Sequence, residues 1–268
     1  MSLVINTNVA ALDAHRNLVN SSNAMSKSMQ RLSSGLRINS AADDAAGLAI
    51  SESLTGQVNG LDQAQRNVQD GVSLVQTADG TLNDVQQMLQ RVRELAVQYQ
   101  NGTLSSTDQA AISSEVAQLA SEISRIGSSA QFNNIKLFSS TTTITFQVGA
   151  NDNESIGVTL TAMSTLVSAS QSGFTLTGAA VLSTIDGMID TVSTQRAAFG
   201  AVQNRLQYAL DNLSTYEENL TSARSSIQDV DMAAEMTTYT KEQILQQAGT
   251  SMLAQANQSP QSVLKLLQ

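Results

Sequence analysis

The sequence predicts a mainly α fold, a long coiled-coil helical bundle with paired terminal helices and a small β-hairpin region. Three observations lead to this prediction. Apolar residues recur every seven positions over two long stretches, one in each half of the chain. Alternating β-branched residues occupy a segment between these stretches. The two ends carry looser amphipathic patterns of opposite net charge, which favours their pairing.

The first terminal segment covers residues 1–42. Leu18, Met25 and Leu32 lie seven residues apart and predict an interrupted amphipathic helix. The sequence Ser33-Ser34-Gly35 then breaks the pattern. It lacks the additional glycines and the lysine of a phosphate-binding loop, so we interpret it as a specialised connector.

The first long helix is predicted from Asp43 to Tyr99, a span of roughly 85 Å at about 1.5 Å per residue. Ser40, Asp43 and Asp44 supply capping oxygens and negative charge at its start. Its apolar residues form one continuous face: Leu54, Leu61, Val68, Val75, Leu82, Leu89 and Ala96, with Ala64, Gly71, Ala78, Val85, Val92 and Tyr99 three residues after them.

A shorter helix is predicted over residues 107–126, with a capping box from Ser106 to Gln109. The helical sequence pattern ends after Gly127. In residues 141–148 and 156–160, β-branched side chains occur in an alternating pattern. This pattern predicts two strands and a turn, and a loop-rich stretch follows to about Gly178.

A second helical face with a seven-residue period follows in the other half of the chain, interrupted only by Gln195. Neither face can remain solvated over such a length, so we expect the two to bury each other with left-handed supercoiling. The second face consists of Ile185, Val192, Phe199, Leu206, Leu213, Leu220 and Ile227, and of Met188, Gln195, Val202, Ala209, Tyr216, Ala223 and Val230 three residues after them.

The last segment, residues 231–268, is amphipathic, with Ile244, Leu245, Met252 and Leu253 on one face. The prediction is therefore a chain that runs out and returns, with paired terminal arms. Such an elongated chain has little core per unit surface, so we expect the arms to order only on meeting other copies. These features suggest a self-assembling subunit.

Three domains follow from this layout. An inner coiled-coil domain takes residues 1–42 and 231–268, and a helical bundle domain takes residues 43–138 and 179–230. The β-hairpin and loop segment, residues 139–178, belongs to the outer part of the bundle.

Composition excludes several classes of function. The 268 residues contain no cysteine and a single histidine, His15, so thiolate chemistry and His or Cys metal clusters are not expected. The net charge of −9 opposes nucleic-acid binding, and no stretch is apolar enough for a membrane span. Asp43 and Asp44 could form an acid–base pair or a cation site, but their position favours helix capping. We predict no catalytic residue, no cofactor and no metal.

Residues 30–50, QRLSSGLRINSAADDAAGLAI, closely resemble bacterial flagellin. The resemblance extends to Ile5-Asn6-Thr7-Asn8, to residues 90–98 and to Ala254-Gln255-Ala256-Asn257-Gln258, and covers about residues 1–138 and 181–268. It implies a structural subunit that polymerises into the extracellular flagellar filament, here a minimal form without large variable outer domains. The terminal arms would line the inner tube.

The resemblance also implies partners and site residues. It implies a homopolymer of many copies, type III export, a chaperone on the carboxy-terminal arm, a filament cap protein and hook–filament junction proteins. The implied connector residues are Ser33, Ser34, Gly35, Arg37, Asn39, Asp43 and Asp44. The implied inner-tube and chaperone contacts are Leu18, Met25, Leu32, Ile244, Leu245, Met252 and Leu253.

Arg91, Leu95 and Glu115 match positions that the flagellin-sensing Toll-like receptor contacts in the family. An arginine and a carboxylate beside an apolar side chain would form a compact recognition patch, and the same residues could instead serve helix packing. Three other functions stay open at this point: a hook–filament junction protein, a cytoplasmic signalling coiled coil, and an enzyme that uses His15.

Overall fold

The computed structural model describes residues 7–167, 176 and 181–266, without the side chains of residues 259–266. Within these residues the elements follow in this order: α1 (Val9–Ser34), α2 (Ala45–Tyr99), α3 (Ser106–Ser129), β1 (Gln131–Phe132), β2 (Ile135–Lys136), β3 (Thr142–Gln147), β4 (Ser155–Leu160), α4 (Met163–Leu166), α5 (Val181–Gln228) and α6 (Met232–Leu266). The predicted mainly α fold with a small β region is confirmed. Most of the predicted loop-rich stretch, residues 168–175 and 177–178, lies outside the described residues.

The chain divides into two compact units, residues 57–218 and residues 1–56 with 219–268. Helices α2 and α5 each contribute residues to both units. The division therefore falls within the two long helices, whereas the sequence-based domains divide the chain at residues 42 and 230.

In the unit of residues 57–218, the face of α2 with the seven-residue period is buried as predicted. Leu61, Val68, Val75, Leu82 and Leu89 are at most 1% exposed. The face of α5 is buried from Ile185 to Leu213, and Leu206 lies close to Gly71 of α2. Burial decreases toward the end of α5: Tyr216 is 45% exposed, and Ala223, which belongs to the other unit, is exposed as well.

Helix α3 is the third helix of this core. Its Ile112 and Val116 belong to one cluster with Val92 and Leu95 of α2 and Ile185 of α5. The capping box lies one residue earlier than predicted: Ser105 Oγ accepts a hydrogen bond from Asp108 N, and the Asp108 carboxylate accepts one from Ser105 N. The sequence pattern placed the box at Ser106 and Gln109, but only Ser105 lies outside the helix with the extended backbone of an N-cap.

The predicted strand pair is present as an antiparallel hairpin, with Thr142 opposite Leu160 and Gln147 opposite Ser155. One face of β4 is buried and contains Ile156, Val158 and Leu160. The hairpin packs on α2, since Phe146 of β3 lies against Gly71. The interruption at Gln195 is explained here, because its side-chain amide donates to Thr159 O and its oxygen accepts from Thr161 Oγ1.

A second, very short hairpin was not predicted. Strands β1 and β2 pair across Asn133 and Asn134, whose φ angles are 46° and 64°. Two consecutive residues with positive φ are typical of a type I′ turn, and asparagine tolerates this conformation better than most residues. The Asn-Asn pair between Phe132 and Ile135 was the signal in the sequence.

In the other unit, α1 and α6 pair antiparallel. Asn8 Nδ2 donates to Ala256 O at 2.9 Å near one end, and Leu18 packs beside Gly249 in the middle. Arg31 and Glu235 form an ion pair at the other end. The predicted pairing of the basic and acidic arms therefore has a direct electrostatic contact. That the arms order only on assembly stays a prediction.

Candidate functional site

The connector after α1 begins at Gly35. Its φ of 73° lies in the left-handed region that glycine adopts without a steric penalty, and its N–H donates to Arg31 O at 2.8 Å. The next residues pair with the segment after α5: Arg37 N donates to Gln228 O at 2.7 Å, and Val230 N donates to Gly35 O at 3.0 Å. The connector therefore forms a short antiparallel bridge, Leu36 with Asp229, to the segment that follows α5.

Asp43 organises the second half of the connector. Its Oδ2 accepts from Asn39 N at 3.3 Å and from Ser40 N at 3.2 Å, while Oδ1 lies 2.6 Å from Lys27 Nζ. The hydrogen bond from Lys27 is the main cause that lowers the pKa of Asp43 from 3.8 to about 2, and the bonds from Asn39 and Ser40 act in the same direction. Asp43 is therefore a structural carboxylate.

The remaining predicted connector residues join the same network. Asn39 Nδ2 donates to Ser34 Oγ at 2.9 Å, and Ser34 Oγ also accepts from Leu36 N. Arg37 Nη2 donates to Ile227 O at 2.5 Å. Ser33 is exposed at the end of α1.

Asp44 is the N-cap of α2, since its Oδ1 accepts from Gly47 N at 2.9 Å. The predicted capping role is confirmed for Asp44, and the helix begins at Ala45 rather than at Asp43. A Cβ on Gly47 would lie 2.7 Å from Ile38 Cδ1, and Ile38 is 1% exposed. Lys27, Ile38 and Gly47 are not among the predicted connector residues, because their contacts form only after the connector turns back on α1 and α2.

The surface of the α1–α6 pair carries many apolar side chains. Ile244 is 60% exposed and Met252 is 64% exposed, whereas Leu18, Met25 and Leu32 are half-buried. Leu245 and Met252 line a groove together with Leu18, and Ile244 lines a second groove with Met236. Leu253 lines a third groove beside Leu12 and His15.

The ion pair between α1 and α6 is unusual. Arg31 Nη1 lies 3.6 Å from Glu235 Oε2, and both side chains are mostly buried. Arg31 Nε and Glu235 Oε1 have no hydrogen-bond partner among the described residues. The pair is thus an electrostatic contact with incomplete hydrogen bonding, a geometry that contributes little net stability.

The predicted recognition patch lies in the other unit. Arg91 donates to Glu115 Oε1 from Nη2 at 2.9 Å and from Nε at 3.1 Å, and Arg91 Nη1 donates to Glu94 Oε2 at 3.2 Å. Leu95 differs from the prediction, because it is 2% exposed and packs in the core of α2, α3 and α5. It therefore presents no apolar surface between Arg91 and Glu115.

The part of the chain that the structure describes was searched for metal-binding clusters and for membrane-spanning helices. Its His, Cys, Asp and Glu residues include no group of three that could hold a metal ion. None of its helices combines the length and the apolar character that a membrane crossing requires.

Comparison with known proteins identifies the family. The bacterial flagellin N-terminal helical region matches residues 5–143, and the bacterial flagellin C-terminal helical region matches residues 182–267. The chain belongs to the bacterial flagellin family. It is 49% identical to the flagellin of Halalkalibacterium halodurans, covering 99% of this chain and 100% of that protein.

Two further flagellins support the assignment. The Bacillus subtilis flagellin is 44% identical, covering 98% of this chain and 99% of that one. The crystal structure of Bacillus cereus flagellin superposes with a TM-score of 0.50 at 28% identity, covering 59% of this chain and 94% of that chain. As a member of the flagellin family, the chain is a structural subunit of the flagellar filament. This assignment is favoured over a hook–filament junction protein and a signalling coiled coil.

Proposed function

We propose that the α1–α6 pair is the main assembly interface and forms the inner coiled-coil tube of an extracellular filament. In this proposal, residues 1–42 and 231–268 form the inner domain, residues 43–138 and 179–230 form the surrounding helical bundle, and residues 139–178 form its outer part. The single observation that carries it is the apolar surface of the arms. Ile244 and Met252 are more than half exposed in one chain, which is unfavourable unless another molecule covers them.

The free energy gained by burying these side chains adds up over many subunits. Burying one medium apolar side chain contributes about 1.5–3 kcal/mol. Leu12, Ile244, Leu245 and Met252 are each at least 44% exposed, so several such contributions are available to a neighbouring copy. The arms would gain this stabilisation only in the polymer, which makes folding of the arms and assembly a coupled process.

The test compares Met252→Glu with the conservative variant Met252→Leu. We expect the glutamate variant to lose seeded filament growth, because a charge would be buried in the interface, and the leucine variant to polymerise like the original protein. Electron microscopy and sedimentation measure the filaments, and circular dichroism checks that both variants keep their helices. Normal polymerisation of the glutamate variant would contradict the assignment of Met252 to the interface.

A truncation tests the arms as a whole. Removing residues 1–35, or the last 35 or so, should leave a helical fragment, since the core of Leu61, Val75 and Leu82 lies outside both segments. That fragment should not form filaments. Filaments of normal appearance from either fragment would assign assembly to another surface.

We also propose that an export chaperone covers α6 before assembly, through the exposed residues Ile244, Leu245 and Met252 and the half-buried Leu253. An unpolymerised chain has to hide the same apolar surface that later binds its neighbours. A filament cap protein and hook–filament junction proteins would then meet the subunits at the two ends of the filament. Ile244→Glu should weaken chaperone binding and polymerisation together.

A second proposed role is recognition by the flagellin-sensing Toll-like receptor through Arg91 and Glu115. The support is their exposure: the Arg91 side chain is 52% exposed and the Glu115 side chain is 46% exposed. Leu95 would act through packing, since its side chain is buried. Arg91 and Glu115 thus provide a charged surface that a partner with complementary charges would recognise.

Receptor activation by monomers tests this role. Arg91→Ala should reduce receptor affinity by about tenfold, which corresponds to roughly 1.4 kcal/mol at an interface centre. Arg125→Ala is a matched control, because Arg125 forms an exposed pair with Glu122 on α3. Equal effects of the two variants would show that Arg91 has no specific role.

A further inference from the structure

The chain contains two Asn-Gly dipeptides, Asn59-Gly60 and Asn101-Gly102. An asparagine followed by glycine is chemically labile, because the backbone nitrogen of the glycine can reach the side-chain carbonyl carbon without hindrance from a Cβ. The reaction requires an accessible glycine nitrogen and a flexible backbone. The two sites can therefore be compared within one molecule.

The structure protects Asn59-Gly60. Both residues lie in the interior of α2, where each backbone N–H donates to the carbonyl oxygen four residues earlier. Gly60 is also packed, since a Cβ at this position would lie 3.0 Å from Cβ of Ala150. Local unfolding of α2 would have to precede any attack by the Gly60 nitrogen.

Asn101-Gly102 has the opposite environment. Both residues are exposed in the connection between α2 and α3. Thr103 N donates to Asn101 Oδ1 at 3.4 Å, a long hydrogen bond that closes a ring containing the Gly102 amide. Gly102 N donates no hydrogen bond to any described residue, although the neighbouring Asn101 N donates to Gln98 O.

We propose that Asn101 is a site of spontaneous deamidation in the folded protein, and that Asn59 is not. The Gly102 backbone nitrogen bonds to Asn101 Cγ, the bond from Cγ to the side-chain nitrogen breaks, and that nitrogen leaves as ammonia with the proton from the Gly102 amide. Water then opens the resulting succinimide at either carbonyl carbon. The product is aspartate or isoaspartate, and water is the only co-reactant.

The modification adds one negative charge to a chain whose net charge is already −9. The new carboxylate lies in the exposed connection before Ser105, the N-cap of α3, where water solvates the charge. Isoaspartate also adds one backbone atom to the exposed connection between α2 and α3. Exposed loops tolerate insertions of this kind. The folded chain can therefore accumulate the modified form.

The experiment incubates the full chain at mildly alkaline pH and follows both sites by peptide mass spectrometry, with enzymatic methylation to detect isoaspartate. In the folded protein, conversion at Asn101 should exceed that at Asn59 by at least about tenfold, equivalent to only ~1.4 kcal/mol of local opening at Asn59. In urea the two rates should become similar. Gly102→Ala should slow conversion at Asn101 and leave Asn59 unchanged.

Two results would overturn the proposal. One is an Asn101 that stays intact in the folded chain but reacts in urea, which would mean that the turn protects it. The other is conversion of Asn59 at the rate of Asn101 in the folded chain, which would mean that helix α2 gives no protection.

Discussion

Lys27 Nζ lies 2.6 Å from Asp43 Oδ1, so a lysine on α1 is tied to a carboxylate in the connector that precedes α2. The Asp43 side chain is only 12% exposed, although that of Lys27 is 51% exposed. Asp43 also accepts hydrogen bonds from Asn39 and Ser40. One side chain therefore fixes the path of the connector.

Acid should weaken this connector. The pKa of Asp43 is about 2 in the folded chain against an ordinary value of 3.8, so its stabilising effect is complete above about pH 4 and is lost as the pH falls toward 2. Asp43→Asn should lower the urea midpoint near neutral pH, and the difference from the original protein should shrink across that interval. Asp13→Asn, which removes an exposed carboxylate paired with Arg16, is the control. A difference that does not change with pH would contradict the prediction.

Arg196 and Asp79 should couple α5 to α2. Arg196 Nε donates to Asp79 Oδ1 at 2.8 Å, and Arg196 Nη1 donates to Gln86 Oε1 at 2.6 Å. Because the pair is partly exposed, we expect a coupling energy of about 1 kcal/mol in a double-mutant cycle with Asp79→Ala and Arg196→Ala. The exposed Arg66–Asp62 pair within α2 is the reference and should give about 0.5 kcal/mol or less. Equal coupling energies for the two pairs would argue against a specific coupling of α5 to α2 by Arg196 and Asp79.

Leu82→Ala should strongly destabilise the helical bundle. Leu82 is 0% exposed, so the substitution removes buried apolar volume and should cost about 2–5 kcal/mol of unfolding free energy. Val97→Ala lies on the same helix but at a 51% exposed position, and should change stability by no more than about 0.5 kcal/mol. Denaturant unfolding followed by circular dichroism separates the two. Similar losses for both variants would mean that the core on α2 is placed incorrectly.

The turn between β1 and β2 should depend on backbone conformation more than on side-chain contacts. Asn134 has a φ of 64°, which glycine adopts freely and a β-branched residue does not. Asn134→Val should cost about 1–2 kcal/mol, and Asn134→Gly should be close to neutral. Thermal unfolding of the two variants provides the measurement. A valine variant as stable as the glycine variant would show that this turn does not constrain the fold.

Much of the helical architecture could be predicted from the sequence because it depends on local periodicity. The seven-residue repeats of Leu61 to Leu89 and of Ile185 to Leu213 correspond to the buried faces of α2 and α5. A continuous apolar face of this length has to be buried, so its pattern is visible without coordinates. The ends of the elements are not fixed by the pattern, as the capping box at Ser105 shows, because a shift of one residue leaves the pattern nearly unchanged.

The connector was predicted as a segment, but its construction was not. Lys27 on α1 contacts Asp43 of the connector, and Gln228 at the end of α5 contacts Arg37. Gln228 is far from the connector along the chain, so the sequence pattern does not predict this contact. Leu95 gives the opposite example. Its spacing from Arg91 puts both on α2, yet only the packing of α3 and α5 determines that Arg91 is exposed and Leu95 is buried.

The sequence by itself determined the helical segments, the strand pair, the pairing of the arms by charge and the family resemblance, because each depends on neighbouring residues or on short-period patterns. Only the tertiary structure decided which polar groups meet, such as Asp43 with Lys27 and Arg196 with Asp79. It also decided which apolar residues of the arms remain exposed for another molecule. The physical reason is that hydrogen bonds and burial depend on distances between segments, which the spacing along one chain does not specify.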